Sequence, residues 1–369
     1  MLAGLADSSE WQTGRHQDRR DRPLGWTRFA SLLLGALLGL RSAGAAAGAS
    51  NDWNIIWSDE FNGTTVNTNI WKFESGDGSA QGIPGWGNNE LQYYTDRSVN
   101  AFVANGVLNI VAHQESLGGK SYTSARMKTA GLFAKKYGRF EFRARLPAGV
   151  GFWPALWMMP QDSVYGGWPA SGEIDVMENR GSQLTTVQGT IHFGSSANHA
   201  SATRTFILPT GESVTNFHTY MVEWTTNSFT WFVDGIAYQT QTNWWTSRNG
   251  VTSPYPAPFD QPFYLIMNLA IGGNYLGNPG VDSINTNGVW PGMLQVDYVR
   301  VYERTAPLRV SATPTNAAIL LMWPSNIVCR LQRSDDPTSA ATWADVSSPA
   351  GQFTLQPTGP RAFFRLASP

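Results

Sequence analysis

Cysteine is nearly absent: Cys329 is the single one in 369 residues. No internal disulfide is available, so the fold must be held by its core, and Cys329 itself reads as a small buried apolar residue. His and Cys with the spacing of a zinc site are also missing. Charge is sparse, with Asp, Glu, Lys and Arg making up 14% of residues and no block of one sign. That argues against nucleic acid or an anionic membrane as partner. No long segment sustains a 3.6-residue apolar period, which argues against a helical or doubly wound fold. The apolar run 29–40 has 12 residues, short against the roughly 20 that span a bilayer.

That run has another reading. Arg15, Arg19, Arg20, Arg22 and Arg28 precede it, without lysine, and the small residues Ser42 to Ala49 follow it. A basic region, an apolar core and an A-x-A-like site describe a secretory signal peptide, so residues 1–50 are expected to be a leader cleaved near 47–50. Export to the periplasm, cell surface or medium follows. Without residues 1–50, which hold six arginines and four acids, the chain has 20 basic and 23 acidic side chains, a formal charge of −3. The remaining length suffices for a large core without covalent help.

From Asn51 to Glu303 the sequence reads as short β segments broken by Gly, Asn and Pro. Examples are 107–112, 138–146, 229–235 and 293–302; the second alternates apolar with charged residues, as a half-buried strand does. Many strands without intervening helices predict an all-β fold, a two-sheet β-sandwich jelly roll with a concave cleft. Residues 304–309 read as a linker. The tail 310–369 has at least three strand candidates and reads as a small β-module of unknown role.

The run Glu173-Ile174-Asp175-Val176-Met177-Glu178 carries three carboxylates in an apolar setting. In a strand Glu173 and Asp175 share a face, while Glu178 falls on the other. A β-bulge near Val176-Met177 would return Glu178 to the side of its partners. Crowded carboxylates repel, and at least one pKa rises. Such a cluster suits retaining glycoside hydrolysis, which needs one ionised and one protonated carboxyl. A solvated acidic strand is the plain alternative. Trp153, Trp157 and Trp168 nearby favour the catalytic reading, because flat aromatic faces stack on pyranose rings.

The segment from about Trp53 to Glu303 resembles the bacterial glycoside hydrolases of family sixteen, in their laminarinase-like branch. The resemblance rests on Trp57-Ser58-Asp59-Glu60-Phe61-Asn62-Gly63, on 85–94 (GWGNNELQYY) and on Tyr137-Gly138-Arg139-Phe140-Glu141. It rests also on the acidic strand, on Phe217-His218-Thr219-Tyr220 with Glu223-Trp224, and on 268–274 (NLAIGGN). It implies an endo-1,3-β-glucanase with no catalytic cofactor. Glu173 is then the nucleophile, Glu178 the general acid/base and Asp175 the residue that tunes both. Met177 matches the bulged form of the motif.

By the same resemblance Trp168 stacks on sugar near the cleavage point and His192 faces the glycone. Asn88, Glu90 and Gln92 border the cleft, with turn stabilisation as their plain alternative. Arg139 either bonds sugar hydroxyls or pairs with a carboxylate, and Trp153 and Trp157 are either substrate-facing or partly core. Glu60, Gly106 and Asp297 stand where relatives hold a structural calcium, and oxygen-only ligation suits that ion. The expected partner is a β-glucan polysaccharide, the default state a monomer. A mixed-linkage glucanase, a galactanase, a transglycosylase and a non-catalytic sugar-binding protein remain the alternatives. Both catalytic carboxylates are present, which weighs against the last.

Overall fold

The computed structural model describes residues 53–304 without a break, and 311–314, 319–322, 330–335, 338, 343–346, 352–355 and 363–367 in the tail. The expected leader, nearly all of the linker and Cys329 lie outside the described residues. The bulk is a jelly roll of two large sheets. The first has ten strands. Its order is β15 (Ile236–Gln241), β14 (Phe229–Val233), β13 (His218–Trp224), β8 (Gly138–Arg145), β19 (Gly292–Arg304), β5 (Val107–Leu117), β6 (Lys120–Ser124) and β3 (Gln92–Tyr94). β1 (Trp53–Asp59) joins it through β19, and β4 (Ala101–Ala104) through β5.

The second sheet has seven strands and carries the acids. Its order is β12 (Asn198–Ile207), β11 (Thr186–Ser195), β10 (Glu173–Glu178), β9 (Phe152–Pro160), β18 (Phe263–Ile271), β7 (Arg126–Lys128) and β2 (Lys72–Glu74). A hairpin of β16 (Ser247–Arg248) and β17 (Val251–Thr252) stands apart. The tail forms two three-stranded sheets. One is β20 (Ser311–Pro314), β21 (Ile319–Met322) and β24 (Gln352–Leu355); the other is β23 (Ala344–Asp345), β22 (Arg330–Ser334) and β25 (Phe363–Ala367). Among the described residues these six strands pair only with one another. The one α-helix there, α1, is short (Val281–Asn287), and no described helix is long and apolar enough to cross a membrane.

Period-two alternation builds the core between the large sheets. On β8, Phe140, Phe142 and Ala144 are buried in it, while Arg139, Glu141 and Arg143 take the opposite face. On β9, Phe152, Leu156 and Met158 point inward, and on β18 Leu265, Met267, Leu269 and Ile271 do the same. Their neighbours Trp153, Trp157 and Asn268 are thereby left on the outer face of the acidic sheet.

β10 breaks this rule once. Asp175 pairs with Trp157, but Met177 pairs with Leu156, and on the other side Asp175 and Glu178 pair with Thr190 and Gln188. One extra residue has entered β10 at Val176-Met177, the bulge expected there. Val176 and Met177 both go into the core, so Glu178 returns to the outer face. The backbone carbonyl of Asp175 accepts a 2.9 Å hydrogen bond from Trp231 Nε1, a fully buried indole on β14 of the other sheet. Gly189 on β11 makes room for that ring, because a Cβ there would lie 2.4 Å from Trp231 Cδ1.

An unmade bond to a buried backbone carbonyl costs about 1–3 kcal/mol. Trp231→Phe, which keeps a ring and deletes the N–H, is expected to lower unfolding stability by about that amount in denaturant titration. Stability equal to the parent would mean that the carbonyl finds another donor.

Candidate active site

Glu173, Asp175 and Glu178 converge on the outer face of β10. Glu173 Oε2 accepts a 2.9 Å hydrogen bond from Trp168 Nε1, and Glu178 Oε1 a 3.0 Å bond from Trp153 Nε1. His192, opposite Glu173 on β11, brings Nε2 to 3.3 Å from Asp175 Oδ2 and 3.8 Å from Glu173 Oε1. The contact with Asp175 is one of charge, without the alignment of a hydrogen bond. One atom from each of Glu173, Asp175 and His192 lies within 4.8 Å of the others.

Electrostatics separates the two glutamates. Burial, and next the charge of Asp175, push Glu173 up to about 7; His192 and the Trp168 N–H work in the opposite direction. The same two causes, with Glu173 added, carry Glu178 up to about 8. Burial works against a charge on His192, yet Asp175, Glu173 and Glu178 together raise it to about 9. Both acids are raised together and titrate as a pair, and the imidazolium beside Glu173 favours the anion there.

Aromatic rings frame the acids. Trp168 is 49% exposed and leaves its ring open to a ligand. Trp153 is nearly buried; its ring stacks on Tyr275 at 4.9 Å, and its N–H serves Glu178. It therefore holds the acid rather than forming a free platform. Tyr275 is itself fixed by Arg180 over its ring at 4.0 Å and by a 2.8 Å bond to Gln188 Oε1. The glycine-rich stretch at 272–280 thus sets Tyr275 against Trp153, beside Glu178. Gly273, at φ 93, is needed there because a Cβ would lie 3.1 Å from the Trp153 ring.

Trp157 donates to Asn268 Oδ1 at 2.7 Å, and Arg126 sits over its ring at 4.9 Å. The other neighbour of that guanidinium is Trp86, at 4.5 Å. Trp86 adopts the left-handed φ of 52, a strained conformation for a tryptophan, in the tight Pro84–Gly87 turn. Arg126 also pairs with Glu74 and faces buried Glu90, so its charge is engaged.

Two sequence expectations need correction. Arg139 lies on the opposite sheet, on the face of β8 turned away from the core, where it pairs with Glu223 at 2.6 Å and packs over Trp53. Of its two readings, the carboxylate pairing holds, because β8 belongs to the other layer. Gln92 is fully buried, with its Nε2 donating to Glu90 and its Oε1 accepting from the Ile271 amide, so burial keeps it from a sugar. Glu90 is buried with it and also receives the Tyr94 hydroxyl at 3.0 Å; the two brace the floor beneath Asn268. Asn88 is exposed at the rim, and its carbonyl holds the Asn274 amide at 2.8 Å.

Arg126, Asn268, Tyr275 and His199 enter the site without having been singled out for it. Asn268 pairs with Arg126 across β18 and β7, a register that no local pattern announces. Spacing alone held no signal for the others.

β19 pairs with β5 as far as Val296 and with β1 from Val299 onward, and it bulges against β8 between Val296 and Tyr298. Asp297 therefore sits between the stretch of β19 that pairs with β5 and the stretch that pairs with β1. Both carboxylates are engaged by arginine: Glu60 accepts two bonds from Arg300, at 2.9 and 2.8 Å, and Asp297 pairs with Arg143.

The raised pKa of Glu178 has a consequence for stability. The folded value of about 8 exceeds the ordinary 4.5, so the fold binds this proton more tightly than the unfolded chain. Its contribution is complete below the ordinary value and is lost as pH rises through the folded one. Glu178→Gln cannot lose it. Its melting temperature is expected to gain on the parent between about pH 5 and about pH 9. A pH-independent difference would show that the proton is not held.

Residues 85–299 match the family model described as glycosyl hydrolases family 16. The chain is 46% identical over 265 residues to glucan endo-1,3-beta-glucosidase A1 of Niallia circulans, covering 68% of this chain and 38% of that protein. It thus spans little more than a third of that relative. With the beta-glucanase of Rhodothermus marinus it shares 42% identity over 287 residues, covering 74% of this chain and 94% of the relative. The solved laminarinase catalytic domain of Thermotoga maritima superposes with a TM-score of 0.59 at 42% identity, over 68% of this chain and 98% of that one. A family match over more than half the chain, on a jelly roll with the acidic strand turned outward, leaves one assignment: the chain belongs to the glycosyl hydrolases of family 16.

Proposed function

We propose that the protein is a secreted endo-β-1,3-glucanase that cleaves laminarin-type glucans with retention of configuration. The observation that carries this is the bulged strand β10, which turns Glu173 and Glu178 to one face. Glu173 attacks the anomeric carbon while Glu178 gives its proton to the departing glycosidic oxygen, and a glycosyl ester forms. Glu178, now a base, takes a proton from water, whose oxygen displaces Glu173 and restores both groups. Asp175 and the protonated His192 keep charge balanced beside the nucleophile. Secretion rests on the pattern of residues 1–50.

Substrate choice is supported by the names of the relatives and by charge. A sulfated galactan would call for free cations at the outer face. Close to the acids, Arg126 and Arg180 are occupied by Glu74 and by Tyr275, and farther along the sheet Lys128 pairs with Glu74 while Lys72 is exposed. A structural calcium belongs to the same proposal. The Glu60 carboxylate, the Gly106 carbonyl and Asp297 would hold it between those two stretches of β19, where it would tie three strands together.

Residues 51–369, incubated separately with laminarin, lichenan, agarose and κ-carrageenan, are expected to release β-anomeric oligosaccharides from laminarin first, followed by NMR. Cleavage of another polymer alone overturns the substrate; α-anomeric first products overturn the mechanism. Glu173→Gln and Glu178→Gln are each expected to lower kcat by about 10²–10⁴-fold while remaining folded. Chelation is expected to lower the melting temperature in a thermal scan, and an unchanged value would leave Glu60 and Asp297 to their arginines.

A further inference from the structure

The hairpin of β11 and β12 brings a second histidine to the site. On β12, His199 stands opposite Gly194 and Ser201 opposite His192, so the two histidines are diagonal neighbours on the outer face. Gly194 has no side chain to occupy the space across from His199, and a Cβ there would lie 2.3 Å from the Asn198 carbonyl oxygen. His192 Nδ1 is 2.8 Å from His199 Nε2, and the rings lie end to end, with centroids 5.1 Å apart and 22° between planes. The Trp168 ring is 4.7 Å from His199 and 5.9 Å from His192. Two members of this cluster address the nucleophile: the Trp168 N–H donates to Glu173, and His192 Nε2 faces Asp175 and Glu173.

Two imidazole nitrogens 2.8 Å apart need one proton between them, since two N–H groups would collide and two lone pairs would repel. The surroundings decide which ring is charged. His192 faces Glu173, Asp175 and Glu178 of β10, and Arg126 of β7 acts on Glu173. Among the described charged groups His192 is the one that acts on His199; burial and that charge lower its pKa. His192 is therefore the imidazolium and His199 the neutral acceptor.

We infer that His199 is a positioning residue, which accepts the Nδ1 proton of His192 and backs the Trp168 ring, so that imidazolium and indole N–H are both aimed at the nucleophile side of the site. This rests on the roles given above to Glu173 and Glu178. Neither sugar nor reacting atom need touch His199. Its effect is to keep His192 charged and oriented into the alkaline part of the working range, where Glu173 must be ionised and Glu178 still protonated.

The test has two readouts, one independent of activity. In His199→Ala, the His192 titration followed by ¹⁵N NMR is expected to move down by about one pH unit, the scale of one lost hydrogen bond to a charged group. On laminarin, kcat is expected to fall about tenfold, by the same free energy, with KM little changed and the alkaline limb of the pH profile moved to lower pH. His199→Gln, whose amide oxygen accepts in place of Nε2, is expected to recover most of both. An unmoved His192 titration overturns the inference. A rise in KM alone, with kcat and pH profile intact, also overturns it and makes His199 a sugar contact. If the parent cleaves no glucan, the functional reading fails by itself, and the NMR titration still decides whether His199 holds the proton of His192.

Discussion

One residue inserted in β10 governs the chemistry of this molecule. A regular strand would send Glu178 into the core between the sheets, where an uncompensated carboxyl is costly. The bulge at Val176-Met177 spends two apolar side chains on the core in succession and returns the next residue to the outer face. The Asp175 carbonyl at that irregularity is held by the N–H of Trp231, which reaches across from the other sheet. The hydrophobic layer therefore stabilises the fold and also locks the backbone that spaces the carboxylates.

Around that backbone each acid receives a different partner. Glu178 has the indole N–H of Trp153, a ring stacked on Tyr275, which Arg180 covers in turn; Glu173 has Trp168 and the nearby imidazolium. Burial and the charges of Asp175 and Glu173 favour a proton on Glu178 against the pull of the Trp153 N–H, whereas a cation beside Glu173 favours its anion. One strand thus carries both a stored acid and a ready nucleophile. The remaining polar residues, Glu90, Gln92, Tyr94 and Asn268, form a buried hydrogen-bonded brace under the floor.

Arg139 and Gln92 show where reading along the chain loses its hold. Each lies in a motif resembling the family and each has the chemistry to bind a sugar. Whether a side chain can do so depends on which sheet its strand joins and on what already fills its hydrogen bonds. Arg139 belongs to the opposite layer, and the amide of Gln92 is buried against Glu90 and the Ile271 backbone. Trp153 and Trp157 were likewise ambiguous, because four-residue spacing in an apolar run does not reveal which ring face a neighbour covers. Arg126 was silent in the sequence; only the register of β7 against β18 brings it beside Asn268.

The sequence by itself determined the all-β architecture, the acidic strand and the need for its bulge. These follow from period-two alternation, which is local and written in consecutive residues. Tertiary structure decided which proton stays on which carboxyl, which tryptophans support acids and which remain open, and that His199 stands behind His192. Those outcomes depend on burial and on contacts between strands far apart in the chain. Both are set only when the two sheets close on a common core.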